Sequence, residues 1–152
     1  MLTLNEMKSS IIVIISLLGI LSSCHVCRES VIATKHFETE FGCRDTRHTL
    51  EIALTDQCTL IQTKTDYDNQ VSGSCHPDID FNTYDLVIGK QSTPREVDTI
   101  YYDYGISCPE NDLTLNVEIV QGDADSPDNV VYHALIPKQK VTGTIVINVK
   151  VK

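Results

Sequence analysis

The sequence predicts a mainly β domain, built as an antiparallel barrel or sandwich of about eight strands with one short helix. The main reason is a period-two alternation of apolar and polar residues in several short segments, which is typical of strands that bury one face. The alternation is clearest at 113–119, where Leu113, Leu115, Val117 and Ile119 share one face. Polar turn residues separate these segments, and the chain has a single helix start signal.

The strand pattern runs through the chain beyond its amino-terminal segment. Strands are predicted at 36–41, 49–54, 59–62, 86–89, 99–104, 113–119, 130–136 and 144–151. The second and third are expected to pair as a hairpin across the Asp56-Gln57 turn. The helix is expected to begin at Thr65, whose hydroxyl stands three residues before Asp68 as in a capping box, and to end before Ser72.

The amino-terminal segment is typical of an export signal. Its apolar run at 11–21 is too short for a spanning helix, which needs roughly 20 residues. Translation from Met7 gives this segment a compact basic start at Lys8. A cleaved secretory signal and an uncleaved anchor are the simpler interpretations.

The four residues that follow the apolar run, Leu21-Ser22-Ser23-Cys24, resemble the lipobox of bacterial lipoproteins. The resemblance implies that Cys24 becomes the first residue of the mature protein and carries diacylglycerol and further acyl chains such as palmitate. It divides the chain into a signal peptide at 1–23, a tether at 24–35 and a β-rich domain at 36–152.

The formal net charge of -9 limits the classes of partner. A negative surface repels the phosphates of nucleic acids and the headgroups of anionic lipids. The chain is therefore expected to bind no nucleic acid and to reach the membrane through its lipid anchor. The expected location is the bacterial cell envelope, with the domain facing the periplasm or the cell surface.

Six cysteines are typical of an oxidising compartment. With Cys24 lipidated and Cys27 left in the tether as an odd thiol, four disulfide candidates remain, with three possible pairings: Cys43, Cys58, Cys75 and Cys108. A zinc site at Cys75-His76 is the alternative. No H-x-x-x-H spacing accompanies it, and the one C-x-x-C of the chain, Cys24 to Cys27, includes the predicted lipidation site, so no metal site is expected.

An acidic segment at 122–129 contains the weak calcium candidates of the chain, Asp123, Asp125 and Asp128. The segment does not match an EF-hand loop, and a solvated turn between strands is the preferred interpretation. Catalytic motifs are also missing, since Ser72-Gly73-Ser74-Cys75 lacks the second glycine of a nucleophile elbow. We therefore expect no enzymatic activity and no cofactor.

Tyrosines provide a candidate protein interface. Tyr101, Tyr102 and Tyr104 cluster on one predicted strand, and alternation places Tyr102 and Tyr104 on the same face. Exposed tyrosines bury a large area at an interface while losing little conformational entropy. Packing in the core is the alternative role for the same residues.

Two segments resemble the PrcB-like lipoproteins, small β-rich partners of a surface protease complex. Residues 84–90 resemble the apolar strand of that family that ends in Gly-Lys, and residues 132–138 resemble its late Tyr-His strand that ends in Pro-Lys. The likeness extends over about 81–138. It implies a β fold and a partner-binding role, with Tyr132 and His133 as further candidate contacts.

The expected function is that of a lipid-anchored envelope protein acting as a protein-binding or accessory module, whose partner is another envelope protein. The alternative is a small-ligand or ion-binding lipoprotein. A convergent polar pocket favours the alternative, whereas a filled interior favours a protein interface.

Overall fold

The computed structural model describes residues 29–108, 112–139 and 144–152. Within them the chain forms a mainly β fold, which confirms the predicted fold class. The sheets are arranged as a sandwich and do not close into a barrel. The strands are β1 Ser30–Ile32, β2 Leu50–Ile52, β3 Gln57–Ile61, β4 Val71–Gly73, β5 Tyr84–Thr93, β6 Val97–Ser107, β7 Asp112–Gln121, β8 Asp128–Pro137 and β9 Ile145–Val151. The helices are α1 Phe37–Phe41, α2 Thr46–Thr49 and α3 Lys64–Gln70.

The strands form three sheets. One sheet has four strands in the order β1-β6-β7-β9, a second has three in the order β3-β5-β8, and β2 pairs with β4 in a third. All pairs are antiparallel except β7 and β9, which run parallel. The expectation of a purely antiparallel fold is wrong at this one pair.

The three-stranded sheet lies in the middle of the molecule and is buried on both faces. One face packs against the four-stranded sheet, through Val87, Tyr132 and Ala134. The other packs against the helices and the small sheet, through Leu86 and Leu135. Because both faces are buried, β8 is almost continuously apolar instead of alternating.

The four-stranded sheet is buried on one face only. Its inner face contributes Leu115, Val117 and Ile119 to the core, while its outer face exposes Tyr101 and Val146. This half-burial is the origin of the clear alternation seen in β7 and β9.

The segment predicted as a strand at 36–41 is instead α1. Phe37 and Phe41 stand four residues apart, and their rings meet at 5.9 Å between centroids, as neighbours on one helix face do. Gly42 ends the helix at a positive φ of 70°, with its N–H donating to Phe37 O. The Phe-x-x-x-Phe spacing fits a helix as well as a strand, and packing selects the helix.

The predicted hairpin between the second and third strands is also wrong. Strand β2 pairs with β4, and β3 pairs with β5. The sequence predicts one helix, whereas the described residues form three. The two additional helices, α1 and α2, are short and have no strong start signal. The predicted helix is present as α3, but its capping residue is Thr63, whose Oγ1 accepts from Asp66 N, so the capping box begins two residues earlier than Thr65.

Residues 30–32 lie in the segment predicted as a tether, yet they form β1 at the edge of the four-stranded sheet. Lys35 also pairs with Leu135 through two backbone hydrogen bonds. The chain therefore joins the sandwich earlier than residue 36. A three-residue strand is too short to be recognised from alternation.

One disulfide among the four candidates is formed by Cys43 and Cys75, with a Cα–Cα distance of 5.8 Å. Cys108 is also disulfide-bonded. Cys58 was expected in a disulfide, but it is a free thiol. It lies opposite Gly89 in the register of β3 and β5, within hydrogen-bonding reach of the Tyr132 hydroxyl, and is thus oriented into the sandwich.

Candidate functional site

A polar cleft of about 340 Å³ lies where α1 and α2 meet β6 and β8. Its walls combine polar and aromatic side chains from distant parts of the sequence: His36, Glu38, Asp45, Thr46, Arg47, Asp98, Tyr102 and His133. We call this cavity the His-Glu cleft. It is the candidate functional site because its volume is in the range of ligand pockets and its polar groups converge on one space.

The first wall is built by the start of α1. The ring of His36 contacts that of Tyr102 at a tilt of 43°, with centroids 4.6 Å apart, and its Nδ1 lies 3.3 Å from His133 O. Phe37 is fully buried beside the His133 ring, at 4.4 Å between centroids. Burial of Phe37 thus fixes the helix start and places Glu38 at the mouth of the cleft, where its side chain is 41% exposed.

The floor of the cleft is formed by His133, which is 3% exposed. Its Nε2 accepts a hydrogen bond from the backbone N–H of Phe37 at 3.1 Å. That bond requires an unprotonated Nε2, so the neutral ring carries its proton on Nδ1, which is buried without a partner among the described residues. Burial lowers the pKa of His133 to about 4, and the ring is neutral near pH 7.

The charged group beside His133 is Glu38. Burial opposes ionisation, but hydrogen bonds from the Thr46 hydroxyl and from the backbone N–H groups of Glu38 and Thr46 lower the pKa of this carboxyl below its ordinary value. Its nearest basic group is the neutral His133, with Nε2 3.6 Å from Oε2. Within the described residues, the ionised Glu38 therefore has no lysine or arginine partner.

The second wall is α2, which is held to the sandwich by charged side chains. Arg47 donates to the backbone oxygens of Val97 and Asp98, at 2.9 Å each. His48 bridges two carboxylates, with Nδ1 2.8 Å from Asp45 and Nε2 3.3 Å from Asp128. Burial opposes protonation of His48, but hydrogen bonds to the two carboxylates raise its pKa above the ordinary value.

Chemically, the arrangement is suited to binding a cation. An ionised carboxylate faces aromatic rings in a partly dehydrated cleft, and both features favour a positively charged group. Thr46 is 1% exposed, so its hydroxyl serves Glu38 and is not available to attack a substrate. His133, with a pKa of about 4, is not matched to proton transfer near neutral pH.

Of the four residues predicted as partner contacts, Tyr102 and His133 line the cleft, and Tyr104 and Tyr132 do not. Tyr102 is half-buried and lines the cleft, where its hydroxyl accepts from the backbone N–H of His133 at 3.0 Å. Tyr104 and Tyr132 are 1% exposed and pack between the two larger sheets. Those two tyrosines are core residues and cannot be exposed anchors, whereas Tyr101, one position earlier than Tyr102, is 61% exposed.

The calcium candidates do not form a metal site. Asp128 accepts hydrogen bonds from the backbone N–H groups of Val97 and Asn129, and it pairs with His48. Asp123 and Asp125 are exposed. No group of three histidine, cysteine or acidic side chains in the described ranges could hold a metal ion. Residues 122–127 lie between β7 and β8, in agreement with a turn between strands, whereas Asp128 and Asn129 already belong to β8.

Sequence reasoning missed His36, Glu38, Thr46 and Arg47 because it placed the first two on a strand and gave the others no role. Only the Phe37-x-x-x-Phe41 spacing followed by Gly42 signals a helix here. Even a correct helix would not have located the cleft, since the residues of β6 and β8 that complete it are some sixty to a hundred positions away.

The predicted lipidation site, Cys24, lies outside the described residues. No helix in the described part of the chain has both the length and the apolar character to cross a membrane. Comparison of the chain with family models, with curated proteins and with solved structures gave no match in any of the three.

Proposed function

We propose that the chain is a lipid-anchored envelope protein that binds a partner protein through the His-Glu cleft, taking up a basic side chain of that partner. The anchor is Cys24, following the Leu21-Ser22-Ser23-Cys24 pattern. The cleft lies at the start of β6, whereas β1 pairs with the far end of β6 at 104–106. Ser30, the first residue of β1, pairs with Ile106 and therefore lies away from the cleft.

The observation that carries the proposal is the ionised Glu38, which has no lysine or arginine partner among the described residues. The carboxylate is 41% exposed at the mouth of the cleft and its hydrogen-bond donors are neutral, so its full charge is open to a cation that enters the cleft. A lysine or arginine side chain from a partner supplies the missing cation, and the His36 and Tyr102 rings can contact its aliphatic stem. The filled interior between the two larger sheets favours recognition at the surface over a ligand held inside the sandwich.

A second candidate function, binding of a small organic amine, is favoured by the volume of the cleft. About 340 Å³ is enough for a compact ligand without a protein attached. Titration of the labelled protein with arginine methyl ester, followed by NMR shifts, distinguishes the two. Saturable changes in the NMR chemical shifts of Glu38 and Thr46 at micromolar concentrations of the ester favour the small ligand. Weak or absent changes favour a basic side chain presented by a protein.

A photo-reactive residue at Asp98 tests the site of partner binding. Asp98 is exposed on the rim of the cleft, and Tyr101 on the outer face of the same strand provides the matched control position. Irradiation of intact cells should give a discrete cross-linked protein from position 98 and not from position 101. The same product from both positions, or none from 98, contradicts binding at the cleft.

The anchor has its own test, the mass of the mature amino terminus. A thioether-linked diacylglycerol on Cys24 is expected, with residues 1–23 removed. An unmodified residue at the mature terminus would reject the anchor while leaving the cleft proposal open.

A further inference from the structure

Strand β9 has one edge that no described strand covers. It is last in the order β1-β6-β7-β9, and β7 is its only partner among the described residues. Its seven residues, Ile145–Val151, contain no proline or glycine. An edge of this length and composition is a ready template for a further strand.

The backbone groups on the open edge can be identified from one hydrogen-bonded residue. Lys152 N donates to Ile119 O, and Gln121 N donates to Lys152 O, so the peptide groups of Lys152 face β7. Backbone groups alternate in direction along a strand. The even residues of β9 therefore face β7, and the odd residues direct their N–H and C=O groups to the open edge: Ile145, Ile147, Val149 and Val151.

The corresponding edge of the three-stranded sheet is covered. The backbone of Lys35 pairs with Leu135 of β8 through bonds of 3.0 and 2.8 Å, and the Tyr102 hydroxyl accepts from His133 N. The fold thus protects the edge of β8 with its own residues. Within the described ranges it supplies no such cover for β9, whose odd side chains are only half-buried.

We propose that a second copy of this chain covers the edge, with the two β9 strands paired antiparallel about a twofold axis at Asn148. In this register Ile147 pairs with Val149 of the second copy, and Ile145 with Val151. All four outward-facing residues are then hydrogen-bonded, so the register uses the full length of the strand. The half-buried inner side chains of the two copies come into contact and shield each other from water.

The charges of β9 favour this register over its neighbours. Lys150 lies opposite Val146 of the second copy, and Lys152 lies opposite Thr144. A shift of the axis to residue 150 would place two Lys150 side chains directly opposite each other, which is unfavourable. At the axis, Asn148 Nδ2 donates to Asn116 Oδ1 at 3.0 Å and still has a second hydrogen for the Asn148 oxygen of the other copy.

Engineered cysteines test the register. In the full chain with Cys58→Ser, Asn148→Cys places two thiols at the axis, where Cα atoms of a non-hydrogen-bonded antiparallel pair are about 4.5 Å apart and can form a disulfide. Val146→Cys is the matched control, since residue 146 of one copy lies about 13 Å along the strands from residue 146 of the other copy. Oxidation should give a covalent dimer from Asn148→Cys and at least tenfold less from Val146→Cys. Equal yields, or no dimer from Asn148→Cys, overturn the proposal.

The mass in solution provides a second readout that does not depend on oxidation. The purified full chain should be a dimer, Val149→Pro should be a monomer because it removes an outward N–H, and Val149→Ala should remain a dimer. A monomeric wild-type chain overturns the proposal. So does a dimer that Val149→Pro leaves intact, since such a dimer uses another surface.

Discussion

At the residue scale, His133 connects the stability of the protein to pH. Its pKa of about 4 in the folded chain lies below the 6.5 of an ordinary imidazole. Between these values the unfolded chain binds a proton that the folded chain excludes, so stability is full above pH 6.5 and falls as the pH is lowered through this window. The difference between the two pKa values corresponds to about 3 kcal/mol of unfolding free energy, which is lost in full once the pH is below both values.

We predict that the free energy of unfolding falls on acidification from about pH 7 to about pH 4.5, and that the fall is smaller in His133→Gln. Glutamine can accept from Phe37 N but does not titrate. The denaturant titrations should compare the His48→Gln variant with the double variant that carries both His48→Gln and His133→Gln. His48 has a raised pKa, and its contribution has the opposite sign: it is present at low pH and is lost as the pH rises. An equal fall with and without His133 would show that the fall has another origin.

Gly89 gives a second prediction at this scale. A Cβ atom at this position would lie 2.3 Å from the Tyr132 ring and 2.7 Å from Gln57 O, and the backbone of β3 cannot move without disturbing the sheet. Gly89→Ala should lower the free energy of unfolding by about 2 kcal/mol or more, measured by denaturant titration. A loss well below 1 kcal/mol would mean that Tyr132 can reorient inside the core.

At the element scale, the Cys43–Cys75 disulfide ties the segment between α1 and α2 to the segment after β4. The two cysteines are 32 positions apart, and a loop of that size contributes about 3–4 kcal/mol by restricting the unfolded chain. The double variant Cys43→Ser with Cys75→Ser should lose stability of that order and loosen the walls of the His-Glu cleft. Cys58→Ser, which removes a free thiol, is the control and should lose much less.

Strand β1 depends on Gly105. A Cβ atom there would lie 2.0 Å from Ser30 O, too close for β1 to keep its register on β6. Gly105→Ala should therefore release residues 30–32, seen as faster hydrogen exchange of their amides, with little change in the exchange of β7. Asp103→Ala, an exposed residue of β6 two positions earlier, should leave the exchange of β1 unchanged.

The elements that sequence reasoning located correctly are those whose burial pattern is simple. Strand β7 buries one face, so Leu113 to Ile119 alternate and the prediction agrees with the structure. The prediction failed at α1, where five residues fit either period, and at β2 and β3, where proximity in sequence suggested a hairpin that tertiary packing does not form. Local pattern contains no information on which of several short strands become neighbours.

At the scale of the whole molecule, the His-Glu cleft exists only because the topology brings together three distant segments. Glu38 comes from α1 and His36 directly precedes that helix, Tyr102 comes from β6, and His133 comes from β8. Alternation and resemblance single out Tyr102 and His133 in the sequence, but neither pattern assigns the two residues to one cavity. Tyr104 and Tyr132, which the same reasoning had grouped with them, pack in the core between the two larger sheets instead.

The proposed dimer has a consequence for the proposed anchor. Strands β1 and β9 begin at the same end of the four-stranded sheet, because Ser30 pairs with Ile106, Ile106 with Leu113, and Leu113 with Ile145. Antiparallel pairing of two β9 strands then places the two amino-terminal ends at opposite ends of the joined sheet. The five residues between Cys24 and β1 span at most about 18 Å, so both anchors reach one bilayer when the strands lie along its surface.

The most direct test of the central claim, capture of a basic side chain by Glu38, measures the yield of the cross-link from position 98 with Glu38 intact and with Glu38→Gln. Glutamine keeps the size of the side chain and the acceptor for Thr46 but removes the charge. The yield should fall about tenfold or more at equal protein abundance, as expected when a charge-assisted hydrogen bond is lost, and Glu38→Asp should recover part of it. An unchanged yield in Glu38→Gln would contradict the account.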